Sequence, residues 1–250
     1  MNQTNTSSNT LKEYPVWDRT TRWFHWINAL AVIGLIGVGL MIFYSKELGV
    51  STDGKILLKI IHVYIGYVFC LNLLWRLVWA FIGNKYARWK AMLPGGNGFM
   101  KALREYKAGF RSGQIQYYQG HNPAAKLMIT LLLLLLMTQA ITGLILAGTD
   151  IYYPPFGQII KAWVAEDASN LEAVKPYSKV NVNEEQFAEM RAFRKPFIIV
   201  HVYAFYLLLI AIVLHIGAIV ITEIKERSGL ISAMFTGRKV FSDKPVDAED

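Results

Sequence analysis

Between Pro196 and Thr222 the chain reads PFIIVHVYAFYLLLIAIVLHIGAIVIT, 27 residues with no formally charged side chain. About 20 apolar residues, at roughly 1.5 Å of rise each, cross the hydrocarbon core of a bilayer as a helix. A membrane span is therefore predicted here. It carries two histidines, His201 and His215, fourteen residues apart. Fourteen residues are nearly four helical turns, so both imidazoles leave the same face, about 21 Å apart along the axis. Ionisable residues inside a span are costly and mark function. Two on one face at that distance predict two stacked cofactors, and the other spans have to supply what completes them.

Three more apolar runs follow the same rule. Spans are predicted at about 24–44, 56–82, 124–147 and 196–222, giving an all-α integral membrane protein, a four-transmembrane-helix bundle in a single domain. The overall hydrophobic share of 54% agrees with this class. Residues 1–14 read as a polar, frayed end, and no cleaved signal peptide is read before the first span. The linker 83–123 contains GFMKALREYKAGFRSG (98–113), which reads as an amphipathic surface helix. Loop 149–195 is polar, carries Pro154 and Pro155, and reads as one or two short helices. The tail 223–250 contains GLISAMFTGRKV, read as another surface helix. The single cysteine, Cys70, excludes an internal disulfide, CxxCH haem attachment, CxxC zinc sites and four-cysteine iron–sulfur clusters. It falls mid-span and reads as a buried small residue.

The net charge of +8 is one-sided. The N-terminus, the linker and the tail, with the span ends facing them, hold 17 Lys and Arg against 9 Asp and Glu; the two opposite loops hold 9 of each. The positive-inside rule makes the basic side cytoplasmic, with both termini inside. Membrane topology and anionic-lipid contact account for the charge, and a nucleic-acid partner is excluded. The predicted location is the bacterial cytoplasmic (inner) membrane.

Topology then sets the depth of each histidine. His62 and His201 fall on the periplasmic side, His25 and His215 on the cytoplasmic side. Each pair comes from two different helices, as two axial ligands on opposite faces of a haem require. Neutral imidazole is a good iron ligand, and an iron with both axial positions filled transfers electrons rather than activating a substrate. Zinc would need its ligands to converge tetrahedrally at one point. A proton relay would need carboxylate partners, and none lies inside these spans. The glycines Gly34, Gly37 and Gly39 keep one side of the first span slim, for a neighbouring helix or a flat macrocycle. His121, Asn122 and Pro123 open the third span. Pro123 suits a first helical turn with Asn122 as N-cap, and the pair His121 and Asn122 also forms a polar rim for a quinone headgroup. Arg19, Arg22 and Arg76 are candidates to neutralise haem propionates, or else snorkel at the interface.

The segments DRTTRWFHW, IHVYIGY with LLWRLVW, GHNPAAKLM leading to ITGLIL, and HVYAFYLLLIAIVLH with SAMFTGRKV resemble the bacterial b-type dihaem membrane cytochromes. These are the b561-like and nickel–iron hydrogenase cytochrome b subunits; the gamma subunit of membrane formate dehydrogenase is a more distant likeness. The likeness covers about residues 14–240. It implies a four-helix bundle holding two haem b, with His25, His62, His201 and His215 as axial ligands. In the formate dehydrogenase relatives an Asn at the start of span three lies by the quinone, and Asn122 occupies the matching place. The implied function is electron transfer between a periplasmic redox partner, a hydrogenase small subunit or a c-type cytochrome, and the quinone pool. Loops 149–195 and 45–55 are the docking surface on this reading. Two alternatives stay open: a stand-alone oxidoreductase passing electrons between quinone and a small oxidant such as superoxide or ferric iron, and an anchor whose haems are vestigial.

Overall fold

The computed structural model describes residues 11–248. Four long helices carry the apolar runs: α1 (Arg19–Phe43), α2 (Thr52–Ile82), α5 (Pro123–Ile151) and α7 (Glu184–Glu226). Between them lie α3 (Trp89–Met92), α4 (Phe99–Ser112), α6 (Gly157–Val164) and a 3-10 turn at Leu171–Ala173; α8 (Ala233–Thr236) follows α7. Each long helix starts on a side-chain cap that accepts an N–H of the first turn. Thr21 donates to Asp18 at 2.6 Å, Gly54 to Ser51 at 3.1 Å, Ala125 to Asn122 at 2.8 Å and Gln186 to Asn183 at 3.0 Å. Such a cap contributes about 1 kcal/mol, so four polar residues in the connecting segments fix where the helices begin.

All four long helices are long and apolar enough to cross a membrane, and only 11–17% of each apolar window is buried. Leu30, Leu71, Tyr203 and Val213 are among the large side chains left outward. Surface of that size and polarity is stable only against lipid, so this is a multi-pass membrane protein.

The helices outrun the apolar windows. The sequence places a loop up to Lys195, yet α7 already starts at Glu184 and carries Pro196 within it. Residues 184–195 (EEQFAEMRAFRK) are good helix formers behind the Asn183 cap, with Glu184 and Glu185 at the positive end of the dipole. Proline removes one backbone bond, a loss of about 3 kcal/mol in an isolated helix, and packing on either side carries the helix across it. α4 occupies the predicted 98–113 region almost residue for residue.

Two elements differ from the sequence reading. Residues 12–14 are not frayed: Lys12–Pro15 form strand β1, paired antiparallel with β2 (Arg238–Phe241) in the register Tyr14 to Lys239. Residues 1–10, also read as frayed, lie outside the described residues. The tail helix is only the four residues of α8. Gly237, at φ 83°, ends it in a left-handed conformation that glycine adopts without strain, and RKVF turns into the strand.

The chain forms two compact units. One holds residues up to His25, Arg76–Leu132 and Ala211 onward. Its core is Val16, Trp17, Tyr86 and Ala233. The other holds Trp26–Trp75 and Leu133–Ile210. There the long loop folds over Tyr152, Ile160, Val164, Val174 and Met190, the last three fully buried. Pro154 and Pro155 are joined by a cis peptide bond.

Candidate cofactor sites

The second unit contains a cavity of about 320 Å³, walled by α1, α2, α5 and α7 and lined mostly by aliphatic side chains. His62 from α2 and His201 from α7 both open onto it, within electrostatic range of each other. Its slimmest walls are glycines. A Cβ at Gly39 would stand 3.4 Å from His62 Cε1, and one at Gly143 would stand 3.6 Å from His201 Cε1. Gly66 lines the same space. Gly34 instead faces Ile65, whose Cδ1 would lie 3.5 Å from an added Cβ. The glycine face of α1 thus admits both a neighbouring helix and an open slot. Cys70 lines the wall half-buried, rather than fully buried as the sequence suggested.

Two polar residues of α5 hold His201. Gln139 Nε2 donates to the His201 carbonyl at 2.9 Å, and Thr142 Oγ1 lies 2.8 Å from His201 Nδ1. Span three has no histidine, and neither residue entered the sequence-based site. The available signal was a Gln and a Thr inside LLLLLLMTQAITGLIL, where polar groups in a span need a reason. His62 Nδ1 is buried without a hydrogen-bond partner among the described residues.

Among the described residues, the charged side chains lining this cavity are Lys59 and Asp150. Lys59 Nζ donates to Asp150, and Arg194 Nη1 donates to its other oxygen at 2.8 Å. Lys59 also bonds Tyr177 Oη at 2.5 Å.

In the first unit, His25 of α1 and His215 of α7 lie within electrostatic range of each other. Arg76, only 5% exposed, donates through Nη2 to the Ala87 carbonyl at 3.1 Å and to Met92 Sδ. Its guanidinium stands 5.6 Å from the Phe24 ring. Arg76 Nη1 and Arg22 Nε are buried without a hydrogen-bond partner among the described residues. Buried donors of this kind require an acceptor, and charged ones most of all. Arg19 is exposed, in keeping with snorkelling.

The turn before α5 is built by both chain ends. Asp247 accepts N–H bonds from Gln119 at 2.6 Å and Gly120 at 2.8 Å, and Gln119 Nε2 donates to the Pro15 carbonyl at 2.8 Å. His121 stacks on Trp17, ring centroids 4.7 Å apart. The residue is half-buried overall, and its Nδ1 is sealed. Burial, with Lys239, Arg76 and Lys126 adding positive charge, pushes the His121 pKa down to about 3. Asn122 uses its carbonyl oxygen to cap α5 and its amide to donate to Tyr106 Oη at 2.9 Å. Tyr106 in turn donates to Glu226 at 3.3 Å.

The His121 shift has a pH consequence. The unfolded chain binds a proton near pH 6.5 that the folded chain refuses down to about 3. Folding stability is therefore full above about pH 6.5 and falls as pH drops toward 3, by about 1 kcal/mol per pH unit. Thermal unfolding of detergent-purified protein from pH 7 to pH 4.5 should show this decline. His121→Phe should make the decline shallower without abolishing it, since four other half-buried histidines remain, and equal slopes in both proteins would contradict the assignment.

A family model described as prokaryotic cytochrome b561 matches residues 16–237, nearly the whole described chain. The chain belongs to the prokaryotic cytochrome b561 family. Among its curated relatives is a "Probable Ni/Fe-hydrogenase B-type cytochrome subunit" of Rhizobium leguminosarum bv. viciae, 26% identical over 244 residues that cover 92% of this chain and 90% of the relative. The protein of the same name from Rhodobacter capsulatus is 25% identical, covering 93% of this chain and 83% of the relative. A "Probable Ni/Fe-hydrogenase 1 B-type cytochrome subunit" of Escherichia coli K12 is 30% identical over 161 residues, 60% of this chain and 66% of the relative. A b561-family cytochrome carries haem b and transfers electrons in the membrane. The residues of this chain fit such a group: two imidazoles from different helices face one apolar slot edged by glycines, and elsewhere buried arginine donors await an acid group.

Proposed function

We propose that this b561-family chain is a dihaem electron carrier, with His62 and His201 as the axial ligands of one haem and His25 and His215 as those of the other. The observation that carries the reading is the sorting of four intramembrane histidines into two couples, each drawn from two helices. When bound, haem b would supply one-electron redox chemistry, with His62 and His201 holding one group and His25 and His215 the other. The chain supplies the rest. Aliphatic walls keep water out, glycines admit the macrocycle edge, and Arg76 and Arg22 offer donors for propionates. The one-sided positive charge supports both termini and the linker 83–123 lying in the cytoplasm, and the whole chain working as one membrane domain.

On this reading electrons pass between a periplasmic redox protein and the quinone pool. The names of these relatives, each a probable nickel–iron hydrogenase B-type cytochrome subunit, favour a hydrogenase as partner over a c-type cytochrome or a stand-alone reaction with a small oxidant. The loop 149–195 and residues 45–55 form the docking face. Asn122, with His121 beside it, is the quinone candidate at the cytoplasmic end. His121 stays neutral at working pH and contributes an aromatic edge, not a proton. Potentiometric titration of the purified full-length protein should resolve two b-type transitions with two haems per chain; a single haem would defeat the dihaem reading.

Asn122 needs a careful test, because its oxygen caps α5. Asn122→Ser keeps a capping oxygen and removes the amide. Quinone reduction rate should fall at least tenfold in this variant with both haems retained. Wild-type quinone kinetics would dispose of the site.

A further inference from the structure

Thr142 has one hydroxyl hydrogen and two close neighbours able to accept it. Its Oγ1 lies 2.6 Å from the Thr138 carbonyl, one turn earlier on α5, and 2.8 Å from His201 Nδ1. A carbonyl can only accept. At 2.6 Å the hydrogen must lie between the hydroxyl and that carbonyl, since two bare oxygens at this distance repel. The hydroxyl therefore meets His201 with a lone pair, and His201 Nδ1 must carry the hydrogen of that bond. A neutral imidazole protonated at Nδ1 has its other nitrogen, Nε2, unprotonated and able to bind a metal.

The rest of the local geometry leaves the ring little freedom. Gln139, three residues earlier on the same face of α5, anchors the His201 main chain. Gly143, one residue later, leaves the edge of the ring uncovered. Three polar or slim positions within five residues of one helix thus address the backbone, Nδ1 and the edge of a single histidine. His62, across the same cavity, has no comparable partner for Nδ1 among the described residues. The two imidazoles are chemically unequal.

We propose that Thr142 is a positioning residue that fixes the tautomer of His201 and raises its donor strength toward iron. The proposal rests on the reading of His201 as an axial ligand. A hydrogen bond from Nδ1–H to an acceptor shifts electron density onto Nε2, which stabilises the oxidised iron more than the reduced iron. Thr142 therefore lowers the potential of the haem at His62 and His201 relative to the same site without it.

The test uses the full-length haem-loaded protein with Thr142→Val, Thr142→Ser and His201→Ala. Haem content, the midpoint potential of each haem and the low-temperature electron paramagnetic resonance spectrum are measured. Thr142→Val keeps the shape and removes the acceptor. It should shift one midpoint potential to more positive values and change one low-spin signal, leaving the other haem at its wild-type values. Thr142→Ser should restore both readouts. Should Val lose the haem while Ser holds it at the wild-type potential, the hydroxyl is required to hold the imidazole and the proposal stands. Unchanged potentials in Val, equal shifts in Val and Ser, shifts of both haems together, or haem loss in both Val and Ser would each overturn it. Retention of both haems in His201→Ala would instead overturn the ligand assignment beneath it, so the two failures are distinguishable.

Discussion

His62→Ala and His201→Ala should each yield a protein with one haem per chain, and the haem that remains should be the same in both. His25→Ala and His215→Ala should each leave the other one. The residual potential and spin signal identify which haem survives, so four single variants should fall into two spectroscopic classes. On the proposed pairing each variant removes one of the two imidazoles that would hold one haem and leaves the other couple intact, so the loss should be confined to one haem. The double variant His62→Ala with His201→Ala should look like either single one. If His62→Ala and His215→Ala removed the same haem, the pairing would be wrong. Loss of both haems in every variant would mean that the two sites fold only together.

Asp150→Ala should destabilise the protein by about 2 kcal/mol or more. The carboxylate is shared by Lys59 and Arg194, with side-chain exposures of 27%, 14% and 20% respectively. Breaking a fully buried pair by deleting one partner costs about 3–5 kcal/mol, because a charge is stranded; partial exposure reduces that figure here. The deletion strands two cations at once, close enough to repel. Adding Lys59→Met should return part of the loss, since it removes one stranded charge and spares its apolar stem. Thermal unfolding in a fixed detergent provides the comparison. A change under about 0.5 kcal/mol, or no recovery in the double variant, would show that the triad is a solvated surface cluster.

The membrane architecture was legible because apolar runs of 20 or more residues have one structural solution in a bilayer. The nearness of His62 to His201 and of His25 to His215 agrees with what helical periodicity and alternating span direction predict, while their role as haem ligands is the proposal made above. The cap at Asn122 was readable from Pro123 next to it. What escaped is of another kind. The β1–β2 pair joins residues more than 220 apart in the chain, and KEYP has no alternation to announce a strand. The Lys59–Asp150–Arg194 triad assembles from three separate segments, each of which alone reads as an interfacial charge. Pro196 looked like a boundary because proline usually is one; tertiary packing and the Asn183 cap overrode it. Thr142 and Gln139 escaped because nothing in the sequence of the span without a histidine says that these two side chains meet His201 on another helix.

The β1–β2 pair also sets a timetable. Strand β1 leaves the ribosome more than 220 residues ahead of β2, and at 5–20 residues per second it waits roughly 10–45 s for its partner. The turn ahead of α5 waits as well, since it is tied to Pro15 on one side and Asp247 on the other. A chain stalled just after its fourth span would have every hydrophobic segment inserted and this end still open, with Trp17 and Tyr86 missing the cover of Ala233 and Met234. Closure of that small sheet therefore comes after all four membrane helices have been synthesised.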